Sequence, residues 1–274
     1  MIKNLKMTVL IDNIAKEPLL AEWGLSILIE ADGLKILLDT GESGQFVQNA
    51  AMLQADLAEV DVGVLSHAHY DHADGMEAFF SCNDHAEFLL RDSCQENCFG
   101  IKEGNLRYNG IRKGTLSRFA DRIHFVSGVL QLHEGIWLVP HRAADYFPIA
   151  RRNDLYVIED GCCRPDAFAH EQSLVIETEK GLVIFNSCSH TGVKNSLADV
   201  REMLSDRRVY AYVGGLHLDK LTDAELSALA DGLAVSGITQ ILTGHCTGEH
   251  AYSFLRQRLG EQIRQISAGF SCDL

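Results

Sequence analysis

The chain has 274 residues, 46% of them hydrophobic and only 4 of them proline, so it can bury a substantial core as one large domain or two ordinary ones. Its formal net charge of -14 argues against a dedicated binder of the nucleic-acid backbone, which carries a basic surface, and favours small-molecule partners. No apolar run reaches the roughly 18 residues of a membrane-spanning helix. The opening MIKNLKMTVLIDN lacks the apolar stretch and cleavage site of a signal peptide, so a cytoplasmic location is expected, with the 8 cysteines as reduced thiols.

Three strand-like runs come first, MTVLID, LSILIEA and LKILLD, with the turn signal ADG between the last two, which reads as antiparallel sheet. After DTGES the spacing of Phe46, Ala50 and Leu53 predicts a helix over 43–53, and VGVL is a further buried strand. From 81 to 170 the pattern weakens into short pieces such as RIHFVSG and GIWLVP, read as an insertion over one rim of a single 1–274 domain. The second half repeats the grammar of the first. A hairpin in SLVIETEKGLVIFNS is followed by a helix over 193–204, strand VYAYVGG, a helix over 222–235, strand ITQILTG and a last helix over 249–259. Two halves, each a sheet edged by helices, predict an α/β (α+β) fold: a four-layer αβ/βα sandwich.

The densest chemistry lies in VGVLSHAHYDHADGM, residues 62–76, at the C-terminal end of a strand. Residues two apart on an extended strand point the same way, so His67 and His69 can share one ion. As the chain leaves the strand, Asp71 and His72 can turn toward a second. Zinc wants about four donors, with one position left for water when it is catalytic, so more must come from elsewhere. His190 in SCSHTG, His217 in GGLHLD and His245 in TGHCTG each follow a strand, where functional side chains collect on a sandwich rim.

These motifs, LSHAHYDH with LLDTG upstream and TGHCTG late in the chain, resemble the metallo-β-lactamase fold superfamily. SCSHTG, GGLHL and GHCTG are more narrowly similar to its metal-dependent hydrolases that include dihydropterin ribofuranosyl-aminobenzene-phosphate synthases. The resemblance implies one metal at His67, His69 and His190 and another at Asp71, His72 and His245, with Asp39 orienting the motif loop. Where relatives carry a bridging aspartate this chain has Ser187 and Cys188, and Cys188 is either a bridging thiolate or a small buried thiol. His170 in FAHEQSL is a rival to His190. His217 is left over, either for the substrate, as a proton donor or anion-binding group, or as a rim histidine bonded to backbone or touching a further metal.

The resemblance thus implies a hydrolase that uses a metal-bound hydroxide on a small phosphoester or other ester-like metabolite, with Asp71 and His217 catalytic. Zinc is the expected ion, one or two per chain, with manganese or iron also compatible. Two other readings stay open, a synthase joining a dihydropterin to a ribofuranosyl-aminobenzene phosphate and a binding protein without turnover. In the stretch HRAADYFPIARRND, Arg142, Tyr146 and Arg151 can stack a ring and clamp an anion, or belong to a solvated loop. Cys94 and Cys98 have a spacing that zinc modules use, but no second pair matches them. His85, His124, His133 and His250 read as ordinary residues.

Overall fold

The structure, a computed structural model, describes residues 1–141, 151–204 and 207–274. Its first half runs β1 (Leu5–Ile11), β2 (Ser26–Ala31), β3 (Leu34–Leu38), α1 (Gln45–Met52), β4 (Val62–Val64), α2 (Tyr70–Ala73), α3 (Met76–Cys82) and β5 (Glu87–Arg91). There follow β6 (Cys98–Lys102), β7 (Asn105–Tyr108), α4 (Thr115–Arg118), β8 (Ile123–Val126), β9 (Leu130–His133) and β10 (Ile136–Pro140). Beyond them lie β11 (Leu155–Glu159), β12 (Cys162–Pro165), β13 (Gln172–Thr178), β14 (Gly181–Phe185), α5 (Val193–Leu204) and β15 (Val209–Val213). The chain closes with α6 (Asp223–Ala234), β16 (Gln240–Thr243), α7 (Glu249–Leu259), β17 (Ile263–Gln265) and β18 (Ser271–Asp273).

Two seven-stranded sheets pack face to face, one ordered β18-β1-β2-β3-β4-β5-β8 and the other β17-β16-β15-β14-β13-β10-β9. The period of two along each strand decides which side chain enters which layer. Ile27, Ile29, Ile36 and Leu38 of the first sheet meet Leu174, Ile176, Val183 and Phe185 of the second in the central core. Their alternates Leu28 and Leu37 face outward and are covered by Phe46, Ala50, Met76 and Phe79. On the far side Ile184, Tyr212 and Ile241 are covered by Leu197, Val200, Leu226 and Leu255 of α5 to α7. Both faces of each sheet are therefore dry, which is why the strands read as nearly continuous apolar runs. Each fully buried aliphatic side chain contributes about 1.5–3 kcal/mol relative to exposure. The αβ/βα sandwich expected from the sequence is the observed architecture.

Local chemistry fixes the connections. Asp32 and Gly33, both at positive φ, turn β2 into β3, and the Asp32 carboxylate accepts the backbone N–H groups of Lys3 and Asn4. Thr222 and Glu225 form a capping box at the start of α6. Gly63 lies under the Phe88 ring, which would sit 2.1 Å from an added Cβ, so β4 and β5 need a residue without a side chain there.

The segment 81–170, read from the sequence as a rim insertion, is divided among three sheets. Strands β5 and β8 extend the first large sheet, β9 and β10 extend the second, and β6, β7, β11 and β12 form a separate four-stranded sheet ordered β12-β11-β6-β7. This small sheet is tied to the histidine motif. Tyr70 N–H donates to the Asn109 carbonyl at 3.0 Å and Ile111 N–H to that of Ala68 at 3.2 Å. No helix among the described residues is long and apolar enough to cross a membrane.

Candidate metal centre

In both sheets the parallel strands end at the same rim, and the histidines follow those ends. Leu38 on β3 is in register with Val64 on β4, and Asp39 and His67 lie just beyond them. Phe185, Val213 and Leu242 are in register across β14, β15 and β16. Cys188, His217 and His245 come three or four residues later. Side chains far apart in sequence thus reach one level, as expected for the carboxyl ends of parallel strands.

Two groups of donors result. In the first, His67 Nε2 lies 3.2 Å from His190 Nε2, and a ring nitrogen of His69 completes a set within 4.8 Å of one another. In the second, His72 Nε2 is 3.1 Å from His245 Nε2, and Asp71 Oδ2 is 3.6 Å from the former and 3.3 Å from the latter. Cys188 joins both, grouping with His67 and His72 on one side and with His245 and Cys246 on the other. All the residues named are buried.

The hydrogen bonds behind the rings set their tautomers. Asp39 Oδ2 faces His72 Nδ1 at 2.7 Å, so that nitrogen carries the proton and Nε2 presents a lone pair. Asn13 does the same for His245: its Oδ1 accepts Gly24 N–H, which orients the amide, and lies 2.9 Å from His245 Nδ1. Ser66 donates its hydroxyl to Asp39 and so accepts from His67 Nδ1 at 2.7 Å. The lone pairs of His72 and His245 therefore face each other at 3.1 Å, which is repulsive unless positive charge sits between them. His69 Nε2 is likewise buried without a hydrogen-bond partner. The residues fit a metal ion, in number, in donor type and in the direction of their lone pairs.

Titration follows the same surroundings. Burial, with the neighbouring imidazoles, holds His67 and His190 well below the ordinary imidazole range and brings His69 down to about 3, so these three are neutral and able to ligate. Burial alone would raise Asp71, but His72 and His245 keep its carboxylate below the usual range. For His245 burial is outweighed by Cys246 and Asp71, which lift it to about 9.

The rival histidines are separated by position. His190 is stacked on Phe168, ring centroids 4.8 Å apart, and its backbone N–H donates to the buried Glu171 carboxylate at 2.8 Å. His170 lies behind His69, accepts Ala68 N–H on Nδ1 at 3.2 Å, and faces Asp166 through Nε2 at 3.0 Å. Cys98 is 3.7 Å from His170 Nε2, and His69, Cys98, Asp166 and His170 form a further buried group. His217 has its ring 4.4 Å from that of His190, and its Nδ1 is buried without a partner. Burial lowers its affinity for a proton, and the contact with Cys246 more than offsets that.

A cavity of about 590 Å³ opens over the centre, lined by His69, Asp71, Cys188, His190, His217 and His245 and walled by the small sheet. Of the anion-binding residues expected from the sequence, Arg142 and Tyr146 lie outside the described residues, and Arg151 is exposed and not part of the lining. The cavity instead carries Lys102 and Arg107 of the β6–β7 hairpin, and Trp23, whose ring centroid is 5.3 Å from that of His245. These were missed because a lysine and an arginine in a polar hairpin carry no sequence signal until the hairpin is placed. Cys246 was missed as well, although it stands beside His245 in TGHCTG. His85, His124, His133 and His250 are exposed and outside the centre.

Residues 24–88 match the family described as the metallo-beta-lactamase superfamily. The chain is 28% identical to the 7,8-dihydropterin-6-methyl-4-(beta-D-ribofuranosyl)-aminobenzene-5'-phosphate synthase of Methanocaldococcus jannaschii, over 98% of this chain and 96% of that one. A solved metal-dependent hydrolase of the beta-lactamase superfamily superposes with a TM-score of 0.84 at 28% identity, covering 98% of this chain and 99% of the other. A diphosphatase from the PhnP family shares the fold at a TM-score of 0.54 and 14% identity, covering 100% and 98%.

Proposed function

We propose that this chain belongs to the metallo-β-lactamase superfamily, whose family its residues 24–88 match, and that it is a metal-dependent hydrolase of a small phosphoester or other small ester-like metabolite. The observation that carries the reading is the pair of imidazole lone pairs opposed at 3.1 Å beside Asp71. His67, His69 and His190 would hold one ion, and Asp71, His72 and His245 the other, with Cys188 between them. A divalent ion so held supplies a Lewis acid and lowers the pKa of water toward neutrality. Zinc suits the imidazole-rich set, and manganese or iron is compatible with it.

The chain's own residues supply the rest. Asp39 and Ser66 hold the His72 and His67 rings in ligating orientation. His217, on the cavity wall, offers Nδ1 to the leaving group as proton donor. Lys102 and Arg107 have no ion pair among the described residues and supply positive charge for an anionic group in an otherwise acidic chain. Asn153 places a buried amide with neither atom paired in the same wall, ready to bond a polar substrate edge. The partner is thus a small molecule, and the reading keeps the cytoplasmic location expected from the sequence.

The test is initial-rate assay of the metal-loaded protein on a panel of phosphoesters, lactones and thioesters, before and after chelation. Turnover of one class that disappears on chelation and returns with zinc supports the reading; turnover indifferent to chelation sinks it. The 28% identity to the archaeal synthase over 98% of this chain favours a second reading, in which the amine of a ribofuranosyl-aminobenzene phosphate displaces a leaving group from the methyl carbon of an activated dihydropterin in the same cavity and gives up a proton. Incubation with those two substrates, followed by mass spectrometry for the coupled product, separates synthesis from hydrolysis.

A further inference from the structure

Two features of the second half have no part in the reading above: the thiol of Cys246 and the paired glycines of VGG. Cys246 lies in the short turn after β16, and its Sγ is 3.4 Å from that of Cys188. Both thiols are buried, at 4% and 2% exposure, and they are not joined as a disulfide. Cys188 Sγ is also 3.2 Å from His72 Nε2, and both sulfurs lie within 4.8 Å of a ring nitrogen of His245. The thiols therefore enter the same space as the second group of imidazoles.

Gly215 is what lets them do so. A Cβ on that residue would stand 2.4 Å from Cys246 Sγ and 2.9 Å from the Ser187 carbonyl oxygen. The end of β15 is bare where the thiol passes on its way to the β14 loop. Gly215 and Cys246 thus fit as a pair, and any larger residue at 215 would push the sulfur out of the centre.

The spacing of the donors is close to that around one ion. With zinc–sulfur bonds of about 2.3 Å and zinc–nitrogen bonds of about 2.0–2.1 Å, donors of a tetrahedral ion are roughly 3.8 Å apart for two sulfurs, about 3.5–3.6 Å for sulfur and nitrogen and about 3.3–3.4 Å for two nitrogens. The sulfur pair at 3.4 Å, the sulfur–imidazole pair at 3.2 Å and the imidazole pair at 3.1 Å are each shorter than these by roughly 0.2–0.4 Å, so a small outward movement of the side chains would admit the ion.

We propose that Cys246 is a ligand of the second metal position, acting with Cys188, so that the position is a mixed imidazole and thiolate site that takes thiophilic divalent ions in preference to magnesium or manganese. The inference rests on the metal reading above and extends it to the kind of ion. Each thiol releases its proton to water as its sulfur binds, which makes occupancy pH-dependent. Soft sulfur donors select zinc, cobalt or cadmium, whereas sites of carboxylate and water suit magnesium and manganese.

The test is optical. The full chain is stripped with a chelator, reloaded with cobalt(II), and its bound cobalt counted by elemental analysis. A near-ultraviolet sulfur-to-cobalt charge-transfer band is expected in the wild type, diminished in Cys246→Ser and absent in Cys188→Ser with Cys246→Ser, while the visible ligand-field bands from the imidazoles persist. Cadmium should bind Cys246→Ser at least about tenfold more weakly, the scale for disturbing a metal site's donors. Cobalt bound with no charge-transfer band, or a band unchanged in Cys246→Ser, overturns the proposal and leaves the metal reading standing. Failure of the wild type to bind cobalt at all overturns both. Cadmium-113 NMR of the wild type loaded with two ions per chain needs no variant: a resonance in the sulfur-ligated range beside that of the imidazole position supports the proposal, and two resonances both in the nitrogen and oxygen range refute it.

Discussion

In the first half of the sandwich a single strand end, that of β4, delivers His67, His69, Asp71 and His72 within six consecutive residues. In the second half three strand ends share the task, with Cys188 and His190 after β14, His217 after β15, and His245 and Cys246 after β16. The first arrangement depends on one local turn, α2, braced from behind by Asp39. The second depends on the register of three parallel strands, since slipping any one would move its donor by a residue and turn it to the other face. One half concentrates the proposed ligands and the other distributes them, so damage to the two should differ in size and kind.

The largest effect is expected from His67→Ala combined with His69→Ala, which removes two of the three donors of the first position together. At least one ion per chain should be lost by elemental analysis, with turnover falling to the level of chelated protein. Full metal content in that variant would show that the dense motif is not a ligand set. His245→Ala in the distributed half should also lose an ion, but the first position, with its own donors intact, should keep its metal.

Next in size is His217→Ala. His217 belongs to the distributed half but is the donor the two positions can do without, so metal content should stay at the wild-type value. Turnover should drop by about 10²- to 10⁴-fold, the range for losing a positioned general acid or base. Loss of metal equal to that in His245→Ala would make His217 a ligand instead.

Asp39→Asn probes the brace of the concentrated half. The amide can still accept from one neighbour, yet it loses the charge that fixes the His72 tautomer and, through Ser66, that of His67. Metal affinity should fall by about 10- to 100-fold, as for removal of other groups that orient ligands. Competition with a chromophoric chelator measures it, and unchanged affinity would mean that the tautomers are set without Asp39.

The same contrast explains what could be read in the sequence. His67, His69, Asp71 and His72 were legible because their spacing is local, and the helices over 193–204 and 249–259 because an apolar stripe of period 3.6 is local too. Strand existence was legible along the apolar runs, but the assignment of β5, β8, β9 and β10 to the large sheets was not, since β5 and β8 pair across a long stretch of chain and the β9–β10 hairpin joins its sheet only through β13, remote in sequence. His190 and His245 could be named from their motifs, whereas their meeting with His67 and His72 is a product of register. Cys246 escaped because a cysteine beside a histidine has no meaning until Gly215 and Cys188 are set against it. The cavity wall was the least legible part, because Lys102 and Arg107 act through the placement of the β6–β7 hairpin.

The smallest expected effect belongs to that wall. Arg107 is exposed, so its attraction for a substrate anion is screened by water and salt, and its worth is about 1 kcal/mol or less. Arg107→Gln should therefore raise KM by no more than roughly fivefold. Because the residue bonds to none of the donors, kcat and metal content should stay unchanged, the pattern of an interaction made equally in ground and transition states. Added salt should raise the wild-type KM toward that of the variant while changing the variant's KM little, so the difference shrinks. A fall in kcat at constant KM would place Arg107 against charge that develops during the reaction, and would make the hairpin, like the three strand ends, a part of the distributed half of the site.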